Sequence, residues 1–248
     1  MKDKYTHISV CLDRSGSMAD MAKEVMGGFN HLVEEQLKVA GEATMTLVRF
    51  DNEYEVINDF VTLKDVDLLT DKNFIPRGMT ALLDAMGKTM DAVREKINGM
   101  PDKDKPQKAI FVFITDGREN SSREYTRARI FEMIYDLQKE KGEDKVQWDF
   151  VFIGANQDAI AEGGSIGIRA QASLTYDATG AGCTSAFSSL SRGLFSYRTD
   201  AKAAYAFEDA DRAEQEALKA KEKDEAEELK KVKDKRFSKA IPDYISDL

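Results

Sequence analysis

The sequence Asp13-Arg14-Ser15-Gly16-Ser17 follows directly on an apolar run, Ile8 to Leu12, and this junction decides the fold. The run has the length and composition of a buried strand. The pattern D-x-S-x-S then places one carboxylate and two hydroxyls on the turn that leaves the strand. These are hard oxygen donors, which Mg²⁺ or Mn²⁺ prefers. Because Ser, Gly and Asp also build ordinary turns, this pattern alone predicts a metal site only weakly.

Two later segments strengthen that prediction. Gly78-Met79-Thr80 opens a stretch with helical apolar spacing, and a second apolar run, Phe111 to Thr115, ends in Asp116-Gly117. In a parallel sheet with crossover helices, the ends of such strands lie at the same edge. The sequence therefore predicts that five side chains converge on one cation: Asp13, Ser15, Ser17, Thr80 and Asp116. The alternative is that the hydroxyls cap the helices that follow them.

With these residues the chain resembles the von Willebrand factor A (vWA) domain family, over roughly residues 5 to 197. The family's metal-ion-dependent adhesion site (MIDAS) is D-x-S-x-S, then a Thr, then an Asp after a later strand, and every element is present here. The resemblance implies that Mg²⁺ or Mn²⁺ binds there and takes an acidic side chain from a protein partner. Cytosolic bacterial and phage relatives further imply an ATPase, a kinase or a stress-response or defence component as that partner.

Strand and helix patterns alternate along the chain and predict an α/β fold, a doubly wound and mostly parallel six-stranded sheet with helices on both faces. Asp51-Asn52-Glu53 reads as a hairpin turn, so the third strand is the antiparallel edge strand. The predicted strands are residues 6–12, 44–50, 54–61, 108–115, 147–153 and 170–176. The predicted helices are residues 19–40, 80–97, 122–139, 158–163 and 183–197.

Residues 201–236 differ in composition from the rest, because they are rich in Ala, Glu, Lys and Asp and contain no Gly or Pro. Such a composition favours helix. Its apolar residues do not keep a heptad, which argues against a coiled coil. The sequence thus predicts a vWA-like domain over residues 1–200 and a charged helical tail over residues 201–248.

The composition of the 248-residue chain limits its partners. A net charge of −9 argues against binding nucleic acid or an anionic membrane. Two cysteines give no disulfide framework. The sequence has neither a signal peptide nor a transmembrane run near its first strand, which predicts a cytoplasmic protein.

Arginine and methionine residues surround the predicted metal site and form a predicted partner rim: Arg14, Met18, Arg77, Met79 and Arg118. Both residue types suit protein interfaces, and a positive rim would steer an acidic partner to the metal. The alternative is a solvated rim whose arginines balance Asp13 and Asp116.

The leading prediction is a metal-dependent protein-binding module, an adaptor rather than an enzyme. A metal-dependent hydrolase or phosphotransferase using the same cluster is the first alternative. Against it, the sequence shows no evident general base and no phosphate-binding loop, since Gly180-Ala181-Gly182 lacks the required pattern. The second alternative is a structural scaffold subunit that assembles through its tail.

Overall fold

Strands and helices alternate along the chain. The computed structural model describes residues 1–140, 142, 145–155 and 158–239, with side chains described as far as residue 231. The strands are β1 Lys2–Asp13, β2 Glu42–Phe50, β3 Tyr54–Thr62, β4 Pro106–Thr115, β5 Gln147–Ala155 and β6 Ser173–Tyr176. The α-helices are α1 Ala22–Leu37, α2 Leu82–Gly99, α3 Arg127–Lys139, α4 Ala159–Ser165, α5 Gly180–Thr199 and α6 Asp209–Lys239.

The six strands form one sheet in the order β3-β2-β1-β4-β5-β6. Only the β2–β3 pair is antiparallel, which confirms the predicted edge strand, and all the other pairs are parallel. The chain leaves β1 toward β2 on one side and later returns to β4 on the other. This reversal of strand order opens a crevice at the carboxyl ends of β1 and β4, where ligands bind in open α/β sheets.

Helices cover both faces of the sheet, as predicted. α1 contacts α5, and α2 contacts α3. The central strands are buried from end to end, including residues 5–13 of β1 and residues 108–115 of β4. A sheet covered on both faces needs such continuous apolar strands, and this makes the two strand ends a rigid base for the loops above them.

Several helix and strand boundaries differ from the predicted ones for local reasons. A 3-10 turn, Gly16–Met21, precedes α1, which therefore begins at Ala22 rather than residue 19. α3 begins at Arg127 rather than residue 122, because the Thr126 hydroxyl caps it by accepting the Arg129 N–H at 3.2 Å. Likewise, β6 is preceded by a 3-10 turn over residues 170–172 and is shorter than predicted.

The tail begins as an irregular segment that packs on the domain. Tyr205 and Phe207 are buried, and α6 begins only at Asp209. Arg212 then donates to main-chain carbonyls of residues 170, 171 and 173 beside β6, and Gln215 donates to the Gly182 carbonyl at 3.1 Å. Beyond Leu218 the described side chains of α6 are all exposed. The domain boundary at residue 200 stays a prediction.

Among the helices that the structure describes, none combines the length and apolar composition needed to cross a membrane.

Candidate metal centre

Three loops meet at the carboxyl ends of β1 and β4, and hydrogen bonds of their main chains tie them together. The first loop follows β1, the second precedes α2 and the third follows β4. The Gly16 N–H donates to the Gly78 carbonyl at 3.3 Å, which joins the first loop to the second. Thr80 and Asn120 join the second loop to the third. The Thr80 N–H donates to Asn120 Oδ1 at 2.9 Å, and the Asn120 N–H donates back to the Thr80 carbonyl at 3.1 Å. The five predicted metal ligands lie on these loops.

Hydrogen bonds link four of the five predicted ligands to one another: Asp13, Ser15, Ser17 and Asp116. The Ser17 hydroxyl donates to Asp116 Oδ1 at 2.8 Å, and the Ser15 hydroxyl lies 3.1 Å from that of Ser17 and 3.5 Å from Asp116 Oδ1. Asp13 Oδ1 accepts the Ser15 N–H at 2.6 Å. The sequence pattern thus produces a cluster of carboxylate and hydroxyl oxygens.

Thr80 completes the cluster from the second loop. A methyl group placed on Gly117 would lie 3.0 Å from the Thr80 hydroxyl and 3.7 Å from that of Ser17. Both hydroxyls therefore approach one point beside Gly117, and a larger residue there would crowd them. The Thr80 hydroxyl makes no hydrogen bond with the residues that the structure describes, although Thr80 itself is buried.

Neither carboxylate of the cluster has a cationic partner in the described part of the chain. Burial raises the pKa of Asp13 to about 6, although hydrogen bonds from Thr115 and Ser15 act against this rise. Burial likewise raises the pKa of Asp116. Arg14 adjoins Asp13 in sequence but turns away, with its guanidinium 2.7 Å from Glu55. A buried carboxylate next to a partly buried one is costly when neither has a counter-charge, and a bound cation would remove that cost.

The hydroxyls are not helix caps, which was the alternative explanation of the motif. Ser15 precedes the 3-10 turn without a side-chain capping bond, and Ala81 rather than Thr80 precedes α2. Within the described ranges no group of three or more His, Cys, Asp or Glu side chains could hold a metal ion. The cluster instead combines two carboxylates with three hydroxyls, a donor set for a hard cation rather than for one that prefers nitrogen or sulfur.

Several residues that support the cluster were not predicted. Thr115, the last residue of β4, donates its hydroxyl to Asp13 Oδ2 at 2.5 Å. Asp84, in the first turn of α2, accepts the main-chain N–H groups of residues 123, 124 and 125. Burial would raise the pKa of Asp84, but these three bonds outweigh it and hold the pKa below its ordinary value. In the sequence, only their positions close to the predicted ligands Asp116 and Thr80 could have indicated that Thr115 and Asp84 support the cluster.

Glu119 orders the loop after Asp116. It accepts the N–H groups of Leu83, Ser121 and Ser122 and the Ser122 hydroxyl, at distances of 2.7 to 2.9 Å. The loop that carries Asp116 and Arg118 is therefore fixed to the start of α2.

The predicted partner rim divides into buried and exposed residues. Met18 is fully buried in the core, and Arg14 is only 5% exposed. These two cannot meet a partner, because the 3-10 turn directs Met18 inward and ion pairs hold Arg14 against Asp51 and Glu55. Arg77, Met79 and Arg118 are exposed around the cluster.

Two other sequence features have structural roles. Gly182 lies in a tight strand-to-helix turn, where the Thr179 hydroxyl caps α5 and a methyl group on Gly182 would lie 2.3 Å from the Asp177 carbonyl. His7 is stacked on Phe60, and burial lowers its pKa to about 3. His31 is exposed on α1. Neither histidine is a base at the cluster.

No protein-family model matches the sequence, and no curated protein matches it either. Its fold is similar to that of proximal thread matrix protein 1 from the mussel byssus, at 14% identity and a TM-score of 0.52, over 77% of this chain and 46% of that chain. A mutant of the PilB minor pilin from Streptococcus sanguinis is similar at 14% identity and a TM-score of 0.53, over 77% of this chain and 61% of that chain. A von Willebrand factor type A structure from Catenulispora acidiphila is similar at 17% identity and a TM-score of 0.46, over 77% of this chain and 42% of that chain.

This chain thus spans about half the length of most of these solved structures. One structure of the mussel byssus protein, with a TM-score of 0.52 and 14% identity, has a zinc-occupied MIDAS motif. At such identities the likeness concerns the fold. Together with the strand order, it shows that this chain shares the α/β fold of the mussel byssus protein and the minor pilin.

Proposed function

We propose that this chain is a metal-dependent protein-binding module, an adaptor rather than an enzyme. Asp13, Ser15, Ser17, Thr80 and Asp116 would hold Mg²⁺ or Mn²⁺ at the ends of β1 and β4. The bound cation would supply an open coordination position for a carboxylate. A protein partner would offer that carboxylate from an Asp or Glu.

The observation that carries this proposal is a carboxylate pair, buried Asp13 and partly buried Asp116, that has no counter-cation among the described residues. Asp13 and Asp116 lie beside three hydroxyls, one of which, that of Thr80, has no hydrogen-bond partner among the described residues. The neighbouring Arg14 is engaged elsewhere. The zinc-occupied MIDAS of the mussel byssus protein supports a divalent cation at such a site. The all-oxygen donor set favours Mg²⁺ or Mn²⁺ over zinc in this chain.

Charge supports a protein partner over nucleic acid or an anionic membrane, since the chain carries a net charge of −9. Resemblance to bacterial and phage vWA proteins suggests an ATPase or a stress-response or defence component. A cytoplasmic location belongs to the same proposal, and the two cysteines, Cys11 and Cys183, are free and buried.

Metal binding is tested first, by titrating Mg²⁺, Mn²⁺ and Zn²⁺ into the protein in a calorimeter. Ser17→Ala should lose most of the affinity for Mg²⁺ and keep its fold, because Ser17 is exposed and its described side-chain bonds lie within the cluster. Ser196→Ala, an exposed serine on α5, is the matched control and should bind as the wild type does. Equal Mg²⁺ affinity in all three proteins would refute the assigned site.

Partner binding is tested by affinity capture from a lysate of the native host, with Mg²⁺, with EDTA, and with Asp13→Ala in Mg²⁺. The adaptor function predicts a protein that is captured only by the wild type with Mg²⁺. A protein captured under all three conditions would instead favour a scaffold that assembles through α6. Metal-dependent turnover of phosphoesters, lost in Ser17→Ala, would favour the hydrolase or phosphotransferase.

A further inference from the structure

The charges around the cluster are distributed unevenly. On the side of the β2–β3 hairpin, every arginine is neutralised. Arg14 and Arg49 pair with Glu55, at 2.7 and 2.9 Å. Arg77 pairs with Asp51 at 2.9 Å and with Glu53 at 2.5 Å. These three arginines meet three carboxylates, so this side presents little free positive charge to a partner.

The loop after Asp116 is different. Arg118 and Arg123 are both exposed, and neither side chain makes an ion pair or hydrogen bond in the part of the chain that the structure describes. Nearby carboxylates are already engaged. Glu124 pairs with Lys88 at 2.6 Å, and Asp84 accepts three main-chain N–H groups. Two guanidinium groups therefore stand without a counter-charge beside the cluster, in an acidic protein.

The main chain that carries these two arginines is held in place. Gly117, next to Arg118, donates its N–H to the Thr115 hydroxyl at 3.2 Å. The Arg123 N–H donates to Asp84 Oδ2 at 2.9 Å. Because the loop is already ordered, a ligand that binds it gives up little loop entropy.

A groove of about 480 Å³ lies between the β2–β3 hairpin, the start of α2 and the loop that carries Arg123. Its walls include Tyr54, Met79 and Arg123, and Met79 is 53% exposed. Gly78, Met79 and Ala81, which flank Thr80 in sequence, line this groove together with Arg123. A peptide that offers one carboxylate to the cluster would therefore lie beside Arg118, two residues from Asp116, and could reach Arg123 through the groove that flanks Thr80.

We propose that the partner is recognised by a pair of acidic side chains rather than by one. The first would bind at the metal, and the second would bind Arg118 and Arg123. This inference rests on the proposed function, because the first acidic residue needs the metal. It adds the class of partner, a segment with two carboxylates close in sequence, and it replaces the predicted five-residue rim by one arginine pair.

Guanidinium groups suit this role, since they form paired hydrogen bonds with a carboxylate. Exposed ion pairs contribute modestly, so loss of both arginines should weaken binding about tenfold rather than abolish it. Loss of the metal should abolish binding. The two contributions are therefore separable by experiment.

The test is a selection from a phage-displayed library of random dodecapeptides on the immobilised full chain in Mn²⁺, with elution by EDTA. The inference expects eluted peptides that share two acidic residues at a fixed spacing. Eluted peptides with a single shared acidic residue would refute the acidic pair but keep the proposed function. If EDTA elutes no enriched peptide, the proposed function itself fails.

A selected peptide is then titrated against Arg118→Ala/Arg123→Ala. Lys103→Ala/Arg129→Ala is the matched control, because it removes two exposed cations away from the cluster. The expected result is about tenfold weaker binding in the first double variant only. Replacing the second acidic residue of the peptide by its amide should weaken binding to the wild type but not to that variant. If both double variants bind the peptide equally more weakly than the wild type, the loss of affinity would come from the change in net charge, and the inference would be overturned.

Two further measurements complete the test. Calorimetric Mn²⁺ affinity should be unchanged in Arg118→Ala/Arg123→Ala, because neither arginine belongs to the cluster. Light scattering of the wild type alone should show no metal-dependent dimer. Such a dimer would overturn the proposal in favour of a second copy of this chain as the occupant of the groove.

Discussion

Replacing Asp13 by Asn should stabilise the metal-free protein. The pKa of Asp13 in the folded chain is about 6, against an ordinary value of 3.8. The folded state therefore holds a proton that the unfolded state releases between these two values. Stability of the metal-free protein falls as pH rises through this window, and the full cost is present above pH 6. At about 1.4 kcal/mol for each pH unit, the cost is about 3 kcal/mol.

Asparagine fits the position of Asp13 with little rearrangement. Its amide oxygen keeps the bond that Asp13 Oδ1 accepts from the Ser15 N–H. Its amide nitrogen would donate to the Thr115 hydroxyl, which is free to donate to the Gly117 carbonyl 3.1 Å away. The variant therefore removes the buried charge without leaving a polar atom unpaired.

In EDTA at pH 7, Asp13→Asn should unfold at a melting temperature about 6–12 °C above that of the wild type. Excess Mg²⁺ should raise the melting temperature of the wild type but not that of the variant, because the cation relieves a charge that the variant lacks. Asp136→Asn, at an exposed position on α3, is the control and should change the stability by less than about 0.5 kcal/mol.

Differential scanning calorimetry with EDTA and with Mg²⁺ measures all these values. A variant that is less stable than the wild type in EDTA would refute the argument from burial. Equal stabilisation of both proteins by Mg²⁺ would refute the assignment of Asp13 to the metal site.

Three further predictions concern the cluster and the fold that supports it. Affinity for Mg²⁺ should fall as pH decreases through about 6, because protons compete for Asp13, and calorimetric titrations at pH 7.5 and 5.5 would show this. Lys108→Met should destabilise the fold by about 3 kcal/mol in urea unfolding, because the buried ammonium group donates to three main-chain carbonyls within residues 197–203. Gly182→Ala should cost about 1–3 kcal/mol in the same assay, because the added methyl group would meet the Asp177 carbonyl at 2.3 Å.

Most of the fold was predictable because the central strands are buried on both faces. Such strands appear in the sequence as continuous apolar runs, and the hairpin at residues 51–53 identified the antiparallel edge. Helix starts were less predictable, since they depend on distant contacts. α3 begins late because residues 123–125 are bound to Asp84, which lies about 40 residues away in sequence.

Residue types and order were enough to predict the candidate cluster, but not which arginines face outward. Ion pairs with Asp51 and Glu55 turn Arg14 inward. No pattern in the sequence predicts ion pairs between residues so far apart along the chain. Arg118 makes no ion pair among the described residues and stays exposed. Arg14 and Arg118 differ only in their tertiary contacts. The sequence does not show these contacts, so both arginines were predicted to belong to one rim.

The pairing of Arg14 also bears on what the cluster is for. An arginine next to Asp13 in sequence offered a simple way to neutralise that buried carboxylate, yet its guanidinium is bound to Asp51 and Glu55. Burial raises the pKa of both Asp13 and Asp116, and no arginine among the described residues pairs with either. A fold selected for stability alone would remove such a pair, and local violations of stability rules are typical of functional sites. The proposed cation would neutralise this charge, and the Asp13→Asn comparison measures the cost of that charge directly.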